Sequence, residues 1–228
     1  MFQQACSTIV NKVYGIRCDT IMGVQVNSSN GTGFMIAPGV ISTAAHLIHL
    51  NSNISAPQHT LFKVIRAPDI GQQMEQAQLI AEDMVRDIAL LRIEQPRSNQ
   101  SVTLNTNIVP IGTSSGSLGF PLAFVNQTGF NLVLRFQGAN ISAFLTSLHQ
   151  SGRNLSFYET DALMYNGSSG CPGFTSDEIV FGMHTAVRND PRTTPQGQQA
   201  SLSSRLAISL WVPSVDIIAF ARSNGVTF

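Results

Sequence analysis

The sequence predicts an all-β fold closed by a single terminal helix, and three observations carry that prediction. Short apolar runs of strand length recur along the chain, separated by Gly, Pro, Asn and Ser, several of them alternating or rich in β-branched residues. No alternation of strand-like and helix-like periods marks βαβ units, and no fixed repeat is visible. One stretch alone, Val215–Arg222, carries apolar residues at helical spacing after the strands have ended.

In chain order, strands are expected over Ile21–Val26, Gly33–Ile36, Leu61–Arg66, Ala77–Ala81, Ile88–Ile93, Gly129–Phe136, Glu178–Met183 and Ala207–Trp211. From Glu94 through Gln95-Pro96-Arg97 to Thr106 the composition turns polar, which predicts a linker. It divides an N-terminal β half, 1–100, from a C-terminal β half, 101–228. Pro213 and Ser214 suit a helix start and Asn224-Gly225 its end, so the closing helix should cover about 214–223.

With 228 residues the chain can bury roughly 70% of the surface it exposes when unfolded. Lys and Arg total 13, Asp and Glu total 13, and charged residues are only 11%, so nucleic acid and anionic membranes are excluded as partners. No apolar run is long enough to span a bilayer. The start, MFQQACSTIVNKVYGI, lacks the charged and apolar regions of a secretory signal, so the expected setting is the cytoplasm or an excised domain. Of three cysteines, Cys6 and Cys18 could pair in an oxidising compartment, leaving Cys171 free. Three separate buried thiols is the preferred reading. Sequons occur at Asn27, Asn53, Asn126, Asn140 and Asn166, and a glycan on Asn166 would block the serine discussed next. No Cys/His cluster has metal-ligand spacing, and no cofactor is implied.

Three strings carry chemistry: Ser42-Thr43-Ala44-Ala45-His46, Asp87-Ile88-Ala89-Leu90-Leu91 and Gly167-Ser168-Ser169-Gly170-Cys171-Pro172. A serine hydroxyl is a weak nucleophile and needs a base to take its proton. Histidine, titrating near about 6.5, is suited to that task. A carboxylate must hold the imidazole in the right tautomer. The developing oxyanion needs backbone N–H groups in a tight, glycine-containing turn, and Gly167 and Ser169 are the candidate donors.

These strings resemble those of chymotrypsin-like serine proteases. Thr160-Asp161-Ala162-Leu163-Met164-Tyr165-Asn166-Gly167-Ser168-Ser169-Gly170 is similar to the nucleophile region of HtrA-type members. Gly31-Thr32-Gly33-Phe34 with Val40–His46 resembles the histidine segment, and Ala77–Asp83 with Asp87–Ile93 the aspartate segment. Val212–Asp216 resembles the start of the last helix. The resemblance implies two perpendicular six-stranded antiparallel β-barrels with the site between them. It also implies a triad of His46, Asp87 and Ser169 with an oxyanion hole at Gly167 and Ser169. Cys171 stands where the family usually has glycine, and Ser168 stands where trypsin-type enzymes keep an aspartate that pairs with a released N-terminus.

The resemblance also implies a substrate pocket. Leu163, six residues before Ser169, would line its floor and leave no carboxylate for a Lys or Arg side chain. Gly182-Met183-His184-Thr185-Ala186 would form a wall. It resembles the glutamyl endopeptidase and viral 3C-type strings in which the histidine recognises Glu or Gln. The alternative is a structural His184 beside an apolar pocket. His49, His59 and His149 have no motif context and are expected on the surface or in loops. The expected function is a serine endopeptidase acting on protein or peptide substrates and not selective for Lys or Arg. A catalytically silent peptide-binding module is the alternative.

Overall fold

The structure is a computed structural model that describes residues 2–122, 124–126, 129–189 and 205–228. A short helix, α1 (Gln3–Ile9), precedes six strands: β1 (Val13–Met22), β2 (Gln25–Ala37), β3 (Val40–Thr43), β4 (Leu61–Arg66), β5 (Glu75–Asp83) and β6 (Ile88–Arg92). They close a barrel in the order β1-β2-β3-β6-β5-β4, every neighbouring pair antiparallel. Closure removes exposed edges, and the inward residues Ile16, Met35, Ile41, Val64 and Leu91 form one buried cluster. The run Ile21–Val26, expected as a strand, is instead a hairpin tip. Gly23 takes φ 63° between β1 and β2, and Ile21, Met22, Val24 and Val26 are exposed. Apolar composition alone could not reveal that reversal.

The second half contains β7 (Thr103–Leu104), β8 (Ser114–Gly119), β9 (Phe124–Asn126), β10 (Gly129–Asn131), β11 (Arg135–Leu148), β12 (Asn154–Thr160), β13 (Pro172–Phe174), β14 (Ile179–Asn189) and β15 (Arg205–Pro213). Its sheet runs β13-β8-β11-β12-β15-β14-β7, and an added β13–β14 pairing joins the first six of these into a ring. The short β7 lies parallel to β14 outside that ring, within the stretch expected to be a linker. The expected strand Gly129–Phe136 is divided between β10, paired with β9, and the start of β11.

The closing helix α2 (Ser214–Ser223) has the expected bounds. Pro213 precedes it, Gly225 follows with φ 77°, and the Ser214 hydroxyl donates to the carbonyl of Val180 at 2.6 Å, tying the helix to β14. Ile217 and Ala221 of α2 join Ile9 of α1, Phe34 and Ile36 of β2, and Phe174, Val180 and Met183 in a core cluster shared by both halves. Among the described residues no helix is long and apolar enough to cross a membrane.

Candidate active site

His46 lies on the 3₁₀ turn Ala45–Ile48 that follows β3, and Asp87 ends the tight turn between β5 and β6 with φ 59°. That left-handed conformation is tolerated by Asp better than by most residues. Here it lets one residue grip the histidine turn at several points. The Asp87 carbonyl accepts the Ala45 N–H at 3.2 Å, and Oδ1 accepts the His46 N–H at 2.8 Å. Oδ2 lies 2.8 Å from His46 Nδ1 and also accepts the Thr185 hydroxyl. A carboxylate can only accept, so Nδ1 carries the proton and Nε2 is left with its lone pair. Thr185, expected only as a pocket wall, therefore also holds the carboxylate; no local sequence signal marks that role.

The serine turn is built jointly by both halves. Thr32 of β2 accepts the Phe120 N–H at 3.0 Å through Oγ1 and donates the same hydroxyl to the Gly167 carbonyl at 2.8 Å. Its backbone N–H donates to the Ser169 carbonyl at 2.9 Å. Thr43 in turn donates to the Thr32 carbonyl at 2.7 Å. Gly170 donates its N–H to the His184 carbonyl at 2.8 Å and takes φ 83°. A Cβ there would stand 2.0 Å from the Thr32 oxygen, so only glycine fits. Gly167 has φ 94°, and among the described residues neither its N–H nor that of Ser169 is hydrogen-bonded.

His46 and Ser169 face one cleft of about 510 Å³. The Met164–Gly167 segment, His184–Val187, Asn30, Leu47, Asn51 and Ser52 line it as well. Leu163, expected at the pocket floor, is not among the residues that line this cleft. Ser209 holds the carbonyl of Ala162 at 2.6 Å and Gln137 holds that of Leu163 at 2.8 Å. In that register it is Met164, not Leu163, that borders the cleft. Among the described residues no Asp or Glu lines it. Ala186 lines it.

His184 borders the cleft but is only 3% exposed, its ring edge-on to Trp211 at 5.2 Å between centroids. Burial pushes it down to about 3, helped by repulsion from His46. Backbone groups of Ala186 and Ser168 favour its charged form slightly, yet neither ring nitrogen makes a hydrogen bond of normal geometry among the described residues. The ring is therefore neutral at ordinary pH. Cys171 is fully buried and burial raises its thiol, which removes it as a nucleophile, and all three cysteines are free. His49 and His59, expected on the surface or in loops, lie in the connection between β3 and β4 and are buried there. His49 bridges the Ala56 carbonyl and Glu82, and His59 sits between Ser29 and Thr20. Polar partners satisfy each ring, and that was not legible without the fold. His149 is exposed. Among the described residues no group of side chains could hold a metal ion.

Comparison with known proteins agrees with this geometry. The family model of the trypsin-like peptidase domain matches residues 31–183, which include His46, Asp87 and Ser169. A probable periplasmic serine endoprotease, DegP-like, from Rickettsia prowazekii is 29% identical over 159 residues, covering 69% of this chain and 28% of the relative. The mitochondrial serine protease HTRA2 of Bos taurus is 31% identical over 165 residues, covering 72% of this chain and 32% of the relative. The chain thus spans less than a third of the length of either. The crystal structure of the Rv3671c protease from M. tuberculosis, active form, superposes with a TM-score of 0.70 at 17% identity, covering 98% of this chain and 85% of that one, which establishes the shared fold. A barrel pair with this histidine–aspartate grip, matched over two-thirds of its length by one family, makes the chain a member of the trypsin-like peptidase family.

Proposed function

We propose that the chain is a serine endopeptidase working through Ser169, His46 and Asp87. The observation that carries this is the Asp87 carboxylate, which holds both the backbone N–H and Nδ1 of His46 at 2.8 Å while His46 shares a cleft with Ser169. Ser169 Oγ attacks the scissile carbonyl carbon as His46 Nε2 takes the hydroxyl proton. The carbonyl oxygen becomes an oxyanion received by the Gly167 and Ser169 N–H groups. Collapse of this intermediate breaks the C–N bond. His46 returns its proton to the departing amine, leaving the acyl group on Ser169. Water, deprotonated by His46, then releases the acid and restores the serine.

The cleft argues against cutting after Lys or Arg, since no carboxylate lines it among the described residues. Met164, Ala186 and Val187 supply apolar surface, and a neutral His184 can offer a hydrogen bond but no charge. That combination suits an uncharged side chain before the scissile bond and is matched better by Gln than by Glu. From the relatives we carry over only the substrate class, protein or peptide. The silent-module alternative has no missing member of the triad to support it.

A fluorophosphonate probe tests the assignment, because it reacts only with an activated serine. Labelling is expected on the wild type and absent from Ser169→Ala. Label retained on the variant would place the nucleophile elsewhere.

A further inference from the structure

The turn carrying Asp87 belongs to the first barrel but is held largely by the second. Asp83, the last residue of β5 and 8% exposed, accepts the N–H groups of Val85 at 3.0 Å and Arg86 at 3.1 Å through Oδ1, which shapes the turn that ends at Asp87. Its Oδ2 lies 3.1 Å from Arg86 Nη1 and 2.7 Å from Arg153 Nη2, and Arg153 Nη1 reaches Oδ1 at 3.3 Å. Arg153 stands at the turn joining β11 to β12. Arg86 Nε is 3.3 Å from Asp216 Oδ1 in the first turn of α2. With Thr185 of β14 on the Asp87 carboxylate, three separate elements of the second barrel hold one hairpin of the first.

The placement matters because His46 comes from one barrel and Ser169 from the other. Asp87 is bonded to the backbone of both Ala45 and His46, so a displaced hairpin carries the histidine turn with it. A misplacement of about 1 Å at a reacting group can lower a rate roughly a hundredfold. Ion pairs at partly exposed sites, by contrast, stabilise the fold by only about 0–1 kcal/mol, and the Arg153 side chain is 41% exposed. Geometry and stability should therefore respond differently when this cluster is cut.

We propose that Arg153, together with Asp216, is a positioning residue. The Asp83–Arg86–Arg153–Asp216 cluster registers Asp87 and His46 against Ser169 across the two barrels. The proposal rests on the reading of those three residues as the triad.

The test compares Arg153→Gln, Asp216→Asn and Arg153→Lys with the wild type. It measures kcat and KM on a cleaved peptide, the melting temperature, and the low-field proton resonance of His46 Nδ1. Arg153→Gln is expected to lower kcat roughly fivefold or more, within the range set by small misplacements, with KM changed by less than about twofold. The Nδ1 resonance should shift or broaden while melting barely moves. Asp216→Asn should act in the same direction, and Arg153→Lys, which keeps the charge but loses the fork, should regain part of the rate. An unchanged kcat and resonance would overturn the proposal. So would a change confined to KM, or a loss of rate that only follows loss of folded protein. If no wild-type peptide cleavage or serine labelling is found, the triad reading fails, while the resonance comparison still reports on the clamp.

Discussion

The surroundings of His184 change its chemistry. In an unfolded chain it would take a proton near pH 6.5, whereas in the folded barrel it stays neutral down to about 3 because charging it would leave a cation buried against Trp211. The unfolded state therefore binds a proton that the native state refuses, and folding stability falls as pH drops through that window. The contribution is complete above about pH 6.5 and is lost at about 1.4 kcal/mol per pH unit down to about 3. His59, also lowered chiefly by burial, adds to the same trend in any variant that retains it. Guanidinium unfolding at pH 7 and pH 5 should show a loss of roughly 2 kcal/mol that is missing from His184→Gln. Equal losses in both proteins would mean that His184 titrates freely in the native state. Thr185 and Met164 make the complementary point. Their residue types announce nothing, and only the register of the chain puts one hydroxyl on Asp87 and one thioether at the cleft.

Among the elements, α1 leaves no mark in the sequence pattern and yet closes the shared core. Its Ala5 and Ile9 are fully buried, and Phe2, just before it, packs on Phe136 and Phe174 at 5.7 and 6.1 Å between ring centroids. Ile9→Ala should destabilise the protein by about 2–5 kcal/mol, whereas Ser7→Ala on the exposed face should cost less than about 0.5 kcal/mol. Equal midpoints for the two variants in denaturant titrations would show α1 undocked. A seven-residue helix has too few turns to impose a period on the sequence. Helix α2 was readable to the residue because proline, serine and Asn-Gly punctuate both ends. β4 was equally clear, an apolar run bounded by polar turns. β1 with β2 was not, since the reversal at Gly23 interrupts no hydrophobic pattern. His46, Asp87 and Ser169 were legible because each stands in a distinctive string. The Arg153 and Thr185 contacts join residues 70 and 98 positions apart, and no local pattern records them.

For the whole molecule, the division near residue 100 separates two barrels but not two cores. The largest apolar cluster takes Phe34 and Ile36 from the first barrel, Phe174 and Met183 from the second, and Ile9 and Ile217 from the flanking helices. Unfolding should therefore be one cooperative transition. The single tryptophan, Trp211, lies in the core of the second barrel, so its fluorescence reports that half while far-UV circular dichroism reports both. The two signals should share one guanidinium midpoint, and separate midpoints would show barrels that fold independently. The shared construction of the serine turn has one further outcome, in time. His46, Asp87 and Thr32 leave the ribosome before β14, whose His184 braces the serine turn and whose Thr185 holds the Asp87 carboxylate. A chain whose synthesis has passed Ser169 but not β14 therefore holds His46, Asp87 and Ser169 without the contacts that brace them into one site.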